Sequence, residues 1–194
     1  MKKLLTLSLF ALLYAASCTV PQDVEPVITN KILYTVPAIS ILRYGSTPVM
    51  DVDSDGVADI VGGVELNSVN NNTTMLTLYK MAPTANVQLL MDAQTEAFAF
   101  HKDDVVQTQQ DAPLVWQHSS ALLFQKSSST GTVNRTGNFT NPNVQYLAYR
   151  LKKDDKWYYG WVEMQYVVIA GQDQLVISRT AFNTVADQPL TAGR

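Results

Sequence analysis

Apolar positions along the mature part of this chain recur mostly at every second residue or in short unbroken runs. That period places successive side chains on opposite faces of an extended strand. The pattern predicts strands at Lys31–Val36, Ile39–Tyr44, Ala58–Leu66, Thr74–Met81, Asn86–Met91 and Ala97–His101. It predicts four more at Ala121–Lys126, Val144–Leu151, Trp157–Ile169 and Gln174–Ser178. No stretch of ten or more residues carries the 3.6-residue apolar stripe of an amphipathic helix. Turn formers separate the runs, notably Asn70–Asn72, Pro83, Asp111–Pro113 and Asn141–Asn143. Many short strands at such spacing predict an all-β fold, a single β-sandwich or jelly-roll-like domain.

Two segments sharpen the pattern. Val144–Leu151 and Trp157–Ile169 flank the polar Lys152–Lys156, which predicts a hairpin. In the second strand Val162, Met164, Tyr166 and Val168 share one face, assigned to the core; Trp161, Glu163 and Gln165 share the other. The Ser/Thr/Gly-rich stretch Ser127–Gly137 reads as a long mobile loop. No internal repeat or second domain is visible.

The N-terminus differs in kind. Lys2 and Lys3 precede 13 apolar-rich residues, Leu4–Ala16, too few to span a bilayer but laid out as a secretory signal. Ala15, Ala16 and Ser17 then lead to Cys18, the only cysteine. Ala16-Ser17-Cys18 resembles the bacterial lipoprotein signal, in which small residues precede a lipidated cysteine. The resemblance implies a signal peptide over residues 1–17, acyl chains on Cys18 and a Pro-containing tether over 18–31, leaving 32–194 for the domain. Each buried CH₂ contributes about 0.8 kcal/mol, so two or more chains anchor stably. Thr19 stands where, in the lipoproteins this signal resembles, an Asp would favour inner-membrane retention, so the resemblance implies the outer membrane.

Composition narrows the function classes. The chain is 46% hydrophobic and 16% charged, which suits a folded core. It has 14 basic residues, two of them in the signal, against 17 acidic ones, so no basic face for nucleic acid is expected. With Cys18 committed to lipid, neither a disulfide nor a thiolate metal site is available.

The sharpest chemical feature is Met50-Asp51-Val52-Asp53-Ser54-Asp55-Gly56-Val57-Ala58-Asp59. Four carboxylates this close repel one another unless a cation joins them, and calcium takes hard oxygen ligands. The run resembles the Asp-x-Asp-x-Asp-Gly loops of EF-hand, dockerin and integrin-type repeats. That resemblance implies ligands from the carboxylates of Asp51, Asp53, Asp55 and Asp59 and from the backbone carbonyl of Val57. Gly62 stands where an EF-hand needs a bidentate glutamate, and strand patterns flank the loop, so a true EF-hand is not expected. A four-carboxylate loop lacking that bidentate glutamate predicts weak, structural binding, on the order of 10⁻⁴–10⁻³ M.

Tyr146–Arg150, Trp157-Tyr158-Tyr159-Gly160-Trp161, Ala181–Thr184 and Pro189–Gly193 together resemble a module of uncharacterised secreted bacterial proteins. The resemblance implies an exported β-sandwich and no known reaction. Trp157, Tyr159 and Trp161 are candidates for stacking a sugar ligand, set against ordinary strand packing. The only histidines, His101 and His118, are 17 residues apart and form no recognisable zinc or nucleophile motif. Glu96 and Glu163 are a carboxylate pair of unknown separation. The chain is therefore expected to be a lipid-anchored envelope protein with a calcium-stabilised, non-enzymatic binding or structural domain. Its partners would be the membrane and a glycan or an envelope protein, not nucleic acid. The alternative is a carbohydrate-active enzyme on a jelly-roll scaffold.

Overall fold

A computed structural model describes residues 27–29, 31–93 and 95–194. The signal, Cys18 and the tether as far as residue 26 lie outside these residues. The described part is all-β, without a helix, and forms an open sandwich. Its strands are β1 (Val27–Thr29), β2 (Ile32–Thr35), β3 (Ile41–Leu42), β4 (Val49–Met50), β5 (Ile60–Val69), β6 (Thr74–Pro83), β7 (Val87–Met91) and β8 (Ala99–Phe100). There follow β9 (Val105–Val106), β10 (Val115–Gln117), β11 (Ala121–Ser129), β12 (Thr132–Thr136), β13 (Val144–Lys153), β14 (Lys156–Ile169), β15 (Gln172–Asn183) and β16 (Leu190–Thr191).

The larger sheet runs β1-β2-β15-β14-β13-β7-β10, with β3 on β15 and β8 on β13. The smaller sheet runs β12-β11-β6-β5-β4, and β9 pairs with β16 in a short ribbon. All strand pairs are antiparallel. Each of the ten predicted strands has a counterpart. The two-residue β4, β9 and β16 escape a periodicity argument because two residues cannot display a period.

Two readings need correction. Val27–Thr29, assigned to the tether, pairs with Ile32–Tyr34 as an edge strand, in keeping with its β-branched Val-Ile-Thr sequence. Ser127–Gly137, predicted as a mobile loop, is a hairpin in which Ser127–Ser129 continues β11 and Thr132–Thr136 pairs back onto it. Its residues are polar because β12 is an exposed sheet edge, not because the chain leaves the sheet.

Between the sheets lies a core that includes Leu42, Ile60, Met81, Leu89, Phe124, Tyr149, Val162, Met164 and Ile177. Val162 and Met164 are fully buried as predicted and Tyr166 packs partly against this core, but Val168, close to the strand's end, is exposed. The opposite face of β14 is not a solvent face. Trp161 is completely buried there in a second core with Tyr146, Tyr159, Ala181, Leu190 and Ala192. The β9–β16 ribbon contributes Val106 and Leu190 to that core, so it covers the outer face of the larger sheet.

Local chemistry explains the hairpins. Asn70, Asn71 and Asn72 all have positive φ between β5 and β6, a conformation Asn tolerates better than most residues. The β13–β14 turn is Asp154-Asp155, both at positive φ, as a two-residue type I′ turn requires. Gly160 is dictated by contact. A Cβ there would stand 2.1 Å from Cζ of Tyr149 and 2.4 Å from the Ala181 carbonyl oxygen. Tyr149 lies fully buried across β14 and donates its hydroxyl to that same carbonyl at 2.9 Å.

Candidate metal site and its surroundings

The Asp-rich loop spans the gap between β4 and β5. Met50, Val52 and Ile60 are all buried, so the core grips the loop at both ends and in between. The Asp59 N–H donates to the Met50 carbonyl at 2.8 Å and closes it. Ser54 and Gly56 take positive φ, letting the chain turn back sharply.

The carboxylates fold inward. Asp51 accepts from the N–H groups of Asp55 at 3.1 Å and Gly56 at 2.7 Å. Asp53 accepts from the Asp55 N–H at 3.2 Å, and buried Asp59 accepts from the Val52 N–H at 2.8 Å. One carboxylate oxygen from each of Asp51, Asp53 and Asp59 lies within 4.8 Å of the others. Oxygens on a sphere of about 2.4 Å radius, the calcium–oxygen distance, can be no farther apart than that. An all-oxygen donor set suits calcium or magnesium and not zinc.

Asp55 does not join the group. Its carboxylate accepts the Val57 N–H at 2.8 Å and is exposed. Of the four carboxylates expected as ligands, the three of Asp51, Asp53 and Asp59 are gathered here, while exposed Asp55 braces its own turn. Val57 is exposed and lines the same surface cavity as Asp53, Asp55 and Asp59.

That cavity, about 670 Å³, has a far wall from the β13–β14 hairpin: Lys152, Lys153, Asp154 and Asp155. Lys153 places Nζ 3.1 Å from Oδ2 of Asp53, whose side chain is only 4% exposed. Among the described residues this ammonium is the one cation paired with any of the three carboxylates, and it contacts Asp53 alone. Asp53 holds the Lys153 ammonium above its usual range. Burial pushes the Asp59 carboxyl up to about 6; the Val52 N–H opposes this, and the charges of Asp53, Asp51 and Asp55 add to it.

The aromatic candidates lie elsewhere. Tyr159 and Trp161 are buried, so neither can offer a ring to a ligand. Trp161 donates Nε1–H to the Thr191 carbonyl at 3.1 Å and meets Tyr146 edge-on. Trp157 is half-buried, with the Arg150 guanidinium 4.0 Å from its ring centroid and 5.2 Å from that of Trp116. An intramolecular cation thus occupies one face of the Trp157 ring.

His101 is exposed, with Nδ1 3.7 Å from Asp104, and Nδ1 of His118 lies 2.8 Å from the Val87 carbonyl oxygen. Glu163 is paired with Arg179 at 3.2 Å on the outer face of the larger sheet. Glu96 sits at an isolated bridge to Leu122. No family model matches the chain, and no curated protein or solved structure is similar to it.

Sequence reasoning missed a second polar centre, around Asp173. Its carboxylate, wholly buried, receives Nζ of Lys126 at 2.8 Å, the Arg135 guanidinium and the Tyr166 hydroxyl. Burial alone would push this carboxyl up. The Arg135, Lys126 and Tyr166 hydrogen bonds outweigh burial and hold it at about 2. The residues come from β11, β12, β14 and β15, and only strand register brings them together.

Proposed function

We propose that this chain is a lipid-anchored bacterial envelope protein, held on the outer membrane through Cys18. Its β-sandwich is stiffened by calcium and serves as a non-enzymatic binding or structural module for a glycan or an envelope protein. The observation that carries the calcium part is the group of three carboxylate oxygens from Asp51, Asp53 and Asp59, gathered within 4.8 Å on a loop pinned to the core. The anchor is supported by the sequence alone, through the apolar run ending at Ala16-Ser17-Cys18.

Calcium titration followed by thermal melting tests the site. At one hundred times Kd the ion should stabilise the fold by about 2.7 kcal/mol. The gain should vanish in Asp53→Ala and persist in Asp55→Ala, since Asp55 lies outside the group. No shift at millimolar calcium would reduce the loop to an acidic turn. The anchor is tested separately: labelled fatty acid should be incorporated into the chain and lost in Cys18→Ala.

A further inference from the structure

We propose that the open end of the sandwich beside the β14–β15 hairpin binds an acidic saccharide, a sugar ring carrying a carboxylate. This names a ligand class for the binding-module reading and rests on it, but it uses no residue of the calcium loop. A cavity of about 230 Å³ opens there, lined by Arg43, Tyr44, Leu66, Thr77, Lys126 and Asp173 among others. Ordinary small-molecule pockets start near about 300 Å³, so this one has room for a single ring.

Three features define what fits. The first is charge. Lys126 and Arg135 share the single carboxylate of Asp173, and Arg43 has no ionic or hydrogen-bond partner for its side chain among the described residues. Three cations against one anion leave a local positive excess in a chain that is acidic overall. A guanidinium grips a carboxylate with two parallel N–H bonds, and Lys126 has further N–H protons beyond the one directed at Asp173.

The second feature is an unused aromatic face. Tyr44 is 69% exposed. It sits beside Arg43 on a tight turn closed by the Ser46 N–H donating to the Arg43 carbonyl at 3.0 Å. The turn therefore presents a cation and a ring side by side. The negative face of a phenol ring attracts the weakly positive C–H face of a pyranose. Leu66, 45% exposed, supplies a second apolar contact in the same cavity.

The third feature is polar complement. Thr77 and Gln172 also line the cavity and can meet ring hydroxyls. A bare oxyanion would use the cations but leave Tyr44 and Leu66 idle. A neutral sugar would use the ring but leave Arg43 idle. An acidic sugar uses all of them.

The test is calorimetric titration of the full chain in detergent with tetragalacturonate, at fixed millimolar calcium. Neutral galactotetraose, inorganic phosphate and a poly-aspartate peptide serve as comparison probes. The expected result is binding of the uronate at least tenfold tighter than of any comparison probe. Arg43→Ala and Tyr44→Ala should each weaken it at least tenfold, while Tyr44→Phe retains it. Unchanged melting temperatures will show that the variants fold, since both side chains are exposed. The proposal is overturned if the uronate does not bind, if either alanine variant binds it like the parent, or if the neutral sugar binds equally. Equal binding of phosphate or the peptide would also overturn it, in favour of an oxyanion or an acidic protein segment. The calcium-dependent melting shift is read independently, so each reading can fail without the other.

Discussion

The two ends of β14 face opposite electrostatic problems. The strand has 14 residues and is about 45 Å long at roughly 3.3 Å per residue. Beyond its first residue, at the β13–β14 hairpin, three inward carboxylates meet one ammonium, Lys153. At its far end one buried carboxylate, Asp173, is held by Lys126, Arg135 and Tyr166. The carboxyls respond in opposite directions, Asp59 rising to about 6 and Asp173 falling to about 2. Burial raises both. What separates them is the supply of donors. One end holds its carboxylate with cations to spare; the other carries an unmet negative excess.

The comparison can be broken most sharply at Asp173. Asp173→Ala leaves two inward cations without their partner and should cost about 3 kcal/mol or more in urea unfolding, the usual penalty for breaking a buried pair. Asp59→Asn, at the other end, should behave in the opposite sense. In calcium-free buffer it removes a repelled, desolvated charge and should leave stability equal or higher; in calcium it should abolish the ion's stabilisation. A large loss in calcium-free buffer would show that the acidic end is internally balanced after all.

Acid provides an independent check on the cationic end. The folded Asp173 carboxyl lies below its unfolded value of 3.8, so its contribution is complete above that value. It should drain away as the pH falls from about 4 through about 2, and the Asp173→Asn variant should lack that part of the acid transition. A smaller effect is expected at Lys153. Lys153→Met frees Asp53 from its competing cation and should tighten calcium several-fold, read by titration. The smallest lies in the β14–β15 turn, where Ala170 adopts φ 50°. Replacing it with Asn or Gly relieves left-handed strain and should add about 0.5–1 kcal/mol in the same urea assay.

Legibility in the sequence followed range of contact. The long strands announced themselves by alternation, and the Asp loop by local crowding within nine residues. The loop's fine structure was not legible, because the sequence does not tell which carboxylates turn inward and which, like Asp55, stay exposed. Lys126, Arg135, Tyr166 and Asp173 are spread over 48 positions and have no local signature; the outer part of the β11–β12 hairpin, which carries Arg135, read as a loop because its exposed edge is polar. Trp161 was assigned to an open face for a related reason: alternation shows that a strand has two sides, but not whether something later in the chain, here β16, will cover the second.

The fit of Tyr149 over Gly160 has a consequence for descent. The ring occupies the volume where any side chain at position 160 would stand, and its hydroxyl is already tied to the strand beyond. Neither residue can vary alone: a larger residue at 160 evicts the ring, and a smaller one at 149 leaves a void. Lineages that diverge from this chain should keep or exchange the two together, so the pair is a more durable mark of common ancestry than either aromatic or glycine taken singly.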